Sequence, residues 1–171
     1  MPDSKALTFL IGGARSGKSA HAETLATGLL PPWTYIATAQ AYDDEMHERI
    51  ALHRSRRDEG WTTIDAPLDL AGALGALPDN QPVLVDCLTL WLTNHMLADH
   101  DIELECRRLA DVLSRPRGSW FVVSNEVGQG IVPDNALARR FRDAAGRLNQ
   151  QVAAVADTVL LMVAGLPLKV K

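Results

Sequence analysis

The segment "LTFLIGGARSGKSAHAETL", residues 7–25, constrains the fold more than any other part of the chain. Residues 7–11 form an unbroken apolar run that reads as a buried strand. It passes directly into "GGARSGKS" (12–19), which satisfies G-x-x-x-x-G-K-[ST], and then into a helix from about Gly17 to Leu29. Strand, glycine turn and helix in that order are the context a phosphate-binding loop requires. Gly12 and Gly17 let the backbone wrap tightly enough for the amides from Gly13 through Ala14, Arg15 and Ser16 to face phosphate oxygens. The helix N-terminus adds its positive end. Lys18 supplies charge to the β and γ phosphates, and Ser19 can hold Mg²⁺. The motif predicts a nucleotide site without choosing among ATPases, kinases and nucleotidyltransferases.

The rest of the chain alternates apolar runs with amphipathic stretches. Strands are predicted at 34–38, 62–65, 82–88, 119–125 and 158–163, with helices at 43–57, 67–77, 90–98, 101–114 and 134–155. A turn at "AGLP" and a short "LKV" complete a terminal antiparallel hairpin. Strands that are apolar throughout predict a mostly parallel sheet covered on both faces. The 171 residues, 47% of them hydrophobic, suit one domain spanning 1–171.

A formal charge of −4 disfavours a general nucleic-acid role, although local basic clusters can still grip a small anion. The two cysteines, Cys87 and Cys106, have no metal-site spacing and predict reduced thiols in a cytoplasmic protein. No stretch reads as a signal peptide or membrane span, so no stable membrane insertion is expected.

Two further positions bear on chemistry. Asp86 ends "VLVD", where a phosphate-loop enzyme places a carboxylate for the metal; the plainer reading is a buried Asp capping a turn. In "ERIALHRSRR" (48–57), Arg49, His53 and Arg57 share a helical stripe, with Arg56 beside it and Met46 and Ile50 on the same side. Neighbouring guanidiniums disfavour protonation of an imidazole, which keeps it nucleophilic near neutrality. The same arginines suit a polyphosphate. Attack by the imidazole on an α phosphate would expel pyrophosphate. The plainer reading is a half-exposed histidine on a solvated basic helix. In "SNEVGQGIVPDN", Asn125 and Glu126 either meet substrate or metal, or shape a turn in which Glu126 caps backbone amides. Trp91 suits a core or interface position better than a stacking platform.

Together, "GGARSGKS", "YIATAQAYDDEMHERIALHRSRR", "GW" with "TTID", "VDCLTLWLTN", "SNEVGQGIVPDN" and "GRLNQQVAAVAD" resemble the bifunctional adenosylcobinamide kinase/adenosylcobinamide-phosphate guanylyltransferase family of cobalamin biosynthesis. The resemblance covers nearly the whole chain. It implies a RecA-like P-loop NTPase fold, usually assembled as a homotrimer. It implies phosphorylation of adenosylcobinamide by ATP or GTP, then transfer of GMP from GTP to the new phosphate through a guanylylated histidine, which is His53 here. The family's nucleotide contacts carry over onto Gly12 to Ser19, Ala37, Thr38 and Ala39, Arg54, Ser55, Arg56 and Arg57, Asp65 and Asp86. Asp65 and Asp86 stand where some members carry Glu.

Two other readings compete. A plain small-molecule kinase would use the phosphate loop and Asp86, with His53 only positioning phosphate. A non-catalytic RecA-type module would bind nucleotide without turnover; the acidic balance and the lack of an aromatic-interleaved basic surface argue against it.

Overall fold

The computed structural model describes residues 5–40, 44–55 and 59–171, with Arg49 and His53 described in their backbone only. Among these residues a seven-stranded sheet runs in the order β3-β2-β4-β5-β1-β6-β7. The strands are β1 (Ala6–Gly12), β2 (Trp33–Ala37), β3 (Trp61–Asp65), β4 (Val83–Asp86), β5 (Ser119–Asn125), β6 (Thr158–Val163) and β7 (Leu166–Lys169). Every pairing is parallel except that of β6 with β7. The helices are α1 (Lys18–Thr27), α2 (Asp44–Ser55), α3 (Leu70–Gly75), α4 (Leu88–Leu97), α5 (Ile102–Leu113) and α6 (Ala136–Val155).

Local chemistry fixes several boundaries. Asp69, Asp101 and Asn135 each accept a hydrogen bond from the backbone amide three residues on, capping α3, α5 and α6. Ala164 and Gly165 both have positive φ, 50° and 80°, as a two-residue hairpin turn between β6 and β7 requires. The predicted strand 82–88 is shorter in the structure, because β4 stops at Asp86 and Cys87 becomes the N-cap of α4. An unbroken apolar run hides such a boundary. The predicted helix at 67–77 contracts to Leu70–Gly75, and β7 starts ahead of "LKV", at Leu166.

The core lies on both faces of the sheet but unequally. The larger cluster joins Leu7, Phe9, Ile36, Val83, Val85, Trp120 and Val122 to side chains of α3, α4, α5 and α6. The smaller one sets Leu10, Tyr35, Leu84, Phe121 and Val123 against Ala22 and Ala26 of α1. Small alanines on α1 bring that helix close to the sheet, and its first turn directly follows the glycine loop. Trp91 is 2% exposed and its Nε1 donates to the Leu68 carbonyl at 2.9 Å, so it is a core residue. No described helix is long and apolar enough to cross a membrane.

Candidate active site

Parallel register aligns the ends of the strands, and with them the sequence-predicted residues. Asp65 lies opposite Ala37, Ala37 opposite Asp86, and Gly12 opposite both Asn125 and Met162. The carboxyl edge of the sheet therefore carries these positions in one row, where ligands bind in open α/β sheets.

The glycine loop is held from behind. A Cβ on Gly12 would lie 2.7 Å from the Met162 carbonyl oxygen and 2.8 Å from Ser16 Oγ. Gly17 has φ 94°, and a Cβ there would lie 3.0 Å from Gly165 Cα. The Gly165 amide donates to the Ser16 carbonyl at 2.9 Å, so the tip of the terminal hairpin braces the loop. Gly17 is the N-cap of α1 without a side-chain cap, and the first turn holds no acidic residue. The helix thus leaves its N-terminal amides for an anion.

Lys18 is only 7% exposed, and its Nζ donates to the Gly13 carbonyl at 2.6 Å and to Ser16 Oγ at 3.5 Å. Burial pulls its pKa below the usual lysine value, opposed in part by the neighbouring Cys87 and Asp86 side chains. An ammonium folded back onto its own loop is poised to exchange a carbonyl for a phosphate oxygen.

A cleft of about 410 Å³ opens here, lined by Ala14, Arg15, Lys18 and Ser19 of the loop, Asp86 and Asn125 at strand ends, and Met46, Ile50 and Arg54 of α2, among others. Tyr35, Ala37, Ala39, Cys87 and Leu90 also face it. Tyr35, Cys87 and Leu90 are absent from the sequence prediction, since apolar-run residues carry no motif that marks them as facing a ligand. A slightly larger cleft, about 440 Å³ between α5 and α6, contains none of the predicted residues. The predicted loop, strand-end and α2 residues gather in the smaller one.

The remaining predicted residues are distributed as follows. Thr38 is fully buried behind the wall: its hydroxyl donates to the Cys87 carbonyl at 2.6 Å and accepts from the Cys87 amide at 2.9 Å. Its carbonyl accepts from Asn94 Nδ2 at 2.7 Å, and Asn94 also donates to the Pro67 carbonyl. Thr38 therefore clasps the exits of β2 and β4 together, and its hydroxyl is already committed. Asp65 is exposed and accepts from Arg54 on both carboxylate oxygens at 2.5 Å, tying α2 to β3. Ser55 ends α2 with its hydroxyl on the Leu52 carbonyl at 2.9 Å. Arg56 and Arg57 lie outside the described residues, as do the side chains of His53 and Arg49. Glu126 Oε1 accepts from the Gly128 amide at 2.5 Å, the capping turn that was the plainer reading. Burial raises the pKa of the Cys87 thiol, as an inert core cysteine requires.

Ser19 and Asp86 offer hard oxygen donors in the same cleft as Lys18. No described group of three or more His, Cys, Asp or Glu side chains is arranged for a metal. Few protein ligands suit Mg²⁺, which keeps waters and takes phosphate oxygens for the rest of its shell. The residues present fit that ion.

A mostly parallel sheet, a glycine loop with a buried lysine, and an aspartate at the end of β4, one strand removed from β1, define a P-loop nucleotide-binding protein. Solved structures agree on the fold. A type III secretion ATPase superposes with a TM-score of 0.56 at 12% identity, covering 92% of this chain and 51% of that one. A Pyrococcus horikoshii protein, PH0250, gives 0.55 at 11% identity over 99% of this chain and 87% of its own. Sequence goes further. The family model "CobU: Cobinamide kinase / cobinamide phosphate guanyltransferase" matches residues 8–170. The bifunctional adenosylcobalamin biosynthesis protein CobP of Pseudomonas aeruginosa is 47% identical over 95% of this chain and 96% of its own length. The corresponding CobU of Salmonella typhimurium is 41% identical over 96% of this chain and 99% of its own. The chain belongs to the cobinamide kinase/cobinamide phosphate guanyltransferase family, a family of bifunctional kinases and nucleotidyltransferases.

Proposed function

We propose that this protein phosphorylates adenosylcobinamide with ATP or GTP, then transfers GMP from GTP to the product through His53, forming adenosylcobinamide-GDP and pyrophosphate. One observation carries the reading. Met46, Ile50 and Arg54, spaced four residues apart on α2, line the same cleft as Lys18, Ser19 and Asp86. The helix that holds His53 is thus a wall of the phosphate site.

In the first reaction the substrate hydroxyl oxygen attacks the γ phosphorus. The bond to the β-bridging oxygen breaks, nucleoside diphosphate leaves, and the hydroxyl proton passes to solvent. The loop amides and Lys18 hold the charge that develops on the phosphoryl oxygens. Mg²⁺ held by Ser19 and Asp86 would neutralise phosphate charge when bound. In the second reaction an imidazole nitrogen of His53 attacks the α phosphorus of GTP and expels pyrophosphate. A phosphate oxygen of adenosylcobinamide phosphate then attacks the phosphoramidate, forming the diphosphate and restoring the imidazole. Arg54 and its neighbours Arg56 and Arg57 receive the leaving pyrophosphate. The reading extends to a homotrimer.

The test is incubation with Mg²⁺ and GTP labelled at the α phosphate, beside a His53→Ala variant. Acid-labile, alkali-stable label on the wild type alone, absent with γ-labelled GTP, is the expected result. An unlabelled wild type that still binds GTP would leave a plain kinase instead.

A further inference from the structure

Tyr35 was not marked by any motif, yet it is the side chain that holds Asp86. It stands on β2, 6% exposed, and its hydroxyl donates to Asp86 Oδ2 at 2.9 Å. The partners sit on neighbouring parallel strands. Tyr35 is opposite Leu84, and Asp86 lies two residues further along β4, so their side chains leave the sheet on one face.

The ring of Tyr35 is fixed in turn. It meets Trp61 of β3 edge-on at 6.1 Å between centroids, and Trp61 packs against Trp33 at 5.5 Å. This row of aromatic side chains runs toward the edge of the sheet and ends in one polar atom, placed on the carboxylate.

The consequence concerns which oxygen Asp86 offers. A carboxylate rotates about its Cβ–Cγ bond unless something restrains it. The tyrosine hydroxyl, whose O–H can only donate to an ionised carboxylate, occupies Oδ2. Asp86 Oδ1 makes no hydrogen bond among the described residues, and Asp86 lines the cleft together with Ser19 and Lys18. Mg²⁺ demands near-octahedral geometry and is bound through one or two carboxylates. Partners that orient a metal ligand without touching the metal commonly set its affinity. From this geometry we infer that Tyr35 is a positioning residue for the metal–nucleotide complex. It fixes the Asp86 carboxylate so that one oxygen is presented to the divalent cation. The inference rests on Asp86 as a metal ligand.

Mn²⁺, a paramagnetic stand-in for Mg²⁺, provides a readout separate from turnover. Its affinity for the protein loaded with a non-hydrolysable GTP analogue is measured by electron paramagnetic resonance. The proteins compared are the wild type, Tyr35→Phe, Asp86→Asn and the double variant. Tyr35→Phe keeps the ring and its packing and removes only the hydroxyl. Mn²⁺ affinity is expected to fall on the order of 10- to 100-fold in Tyr35→Phe. Affinity for the nucleotide without metal should stay at the wild-type level, which general damage to the site would not allow. In the Asp86→Asn background the Tyr35 change should add nothing further. Wild-type Mn²⁺ affinity in Tyr35→Phe, with Asp86→Asn impaired, overturns the role of Tyr35 and leaves Asp86 as the ligand. Equal further losses in both backgrounds overturn it as well. Unchanged affinity in Asp86→Asn removes the metal reading itself.

Discussion

Gly12→Ala adds one methyl group where the structure has no room for it. The new Cβ would sit 2.7 Å from the Met162 carbonyl oxygen and 2.8 Å from Ser16 Oγ. The first neighbour is backbone of β6, paired to Gly12 in register, and it cannot rotate away. Gly12 is also fixed on its other side, where its carbonyl accepts from the Glu126 amide at 2.9 Å. Relief therefore requires β1 to shift against β6. Overpacking of this kind costs about 1–3 kcal/mol. Alanine in place of glycine recovers about 0.4–1 kcal/mol by restricting the unfolded chain. Central values of about 2 and about 0.7 kcal/mol leave a loss of about 1.3 kcal/mol, or a Tm roughly 3–5 °C lower for a domain of this length. Gly13→Ala is the matched control, because nothing lies within 4 Å of a Cβ at that position. It should melt at or slightly above the wild type. Thermal unfolding followed by circular dichroism, without nucleotide, measures both variants. A Gly12→Ala protein melting within about 1 °C of wild type would refute the argument that the loop is braced against β6.

Two other outcomes follow from the same geometry. Thr38→Val preserves shape but leaves the Cys87 amide and carbonyl without the hydroxyl that serves both. Unfolding in urea should show a loss of about 1–3 kcal/mol, and a change within error would mean that solvent replaces the clasp. Cys106 is buried, and burial pushes its thiol up to about 11 from an ordinary 9.0. Between those values the unfolded chain loses the thiol proton while the folded one keeps it. Stability attributable to Cys106 is thus intact below pH 9 and declines toward pH 11. Cys106→Ala should be less sensitive to pH over that interval, in denaturation curves compared pairwise with the wild type. Identical slopes for the two would contradict this.

The sequence specified the phosphate loop by itself, because the requirement there is local. Gly12, Gly17, Lys18 and Ser19 meet it through spacing, φ and the strand and helix that flank them. It also specified the parallel sheet, since strands buried on both faces must be apolar throughout. Family membership was legible for a similar reason: the signature segments are contiguous. Asp86 at the end of β4 was readable from "VLVD", but the end of β4 itself was not, because the apolar run continues into α4. What the sequence left open depends on contacts between distant segments. Tyr35 lies 51 residues from the carboxylate it holds. Thr38 is 49 residues from Cys87, whose carbonyl and amide its hydroxyl clasps. The hairpin tip at Gly165 reaches back to Ser16, and the Arg54–Asp65 pair joins α2 to β3. Hydrogen bonds of this kind leave no periodic trace, because either partner alone is an ordinary Tyr, Thr or Asp. Local steric and electrostatic demands wrote the phosphate site into the sequence, and only the pairing of β2 with β4 decided which side chains orient it.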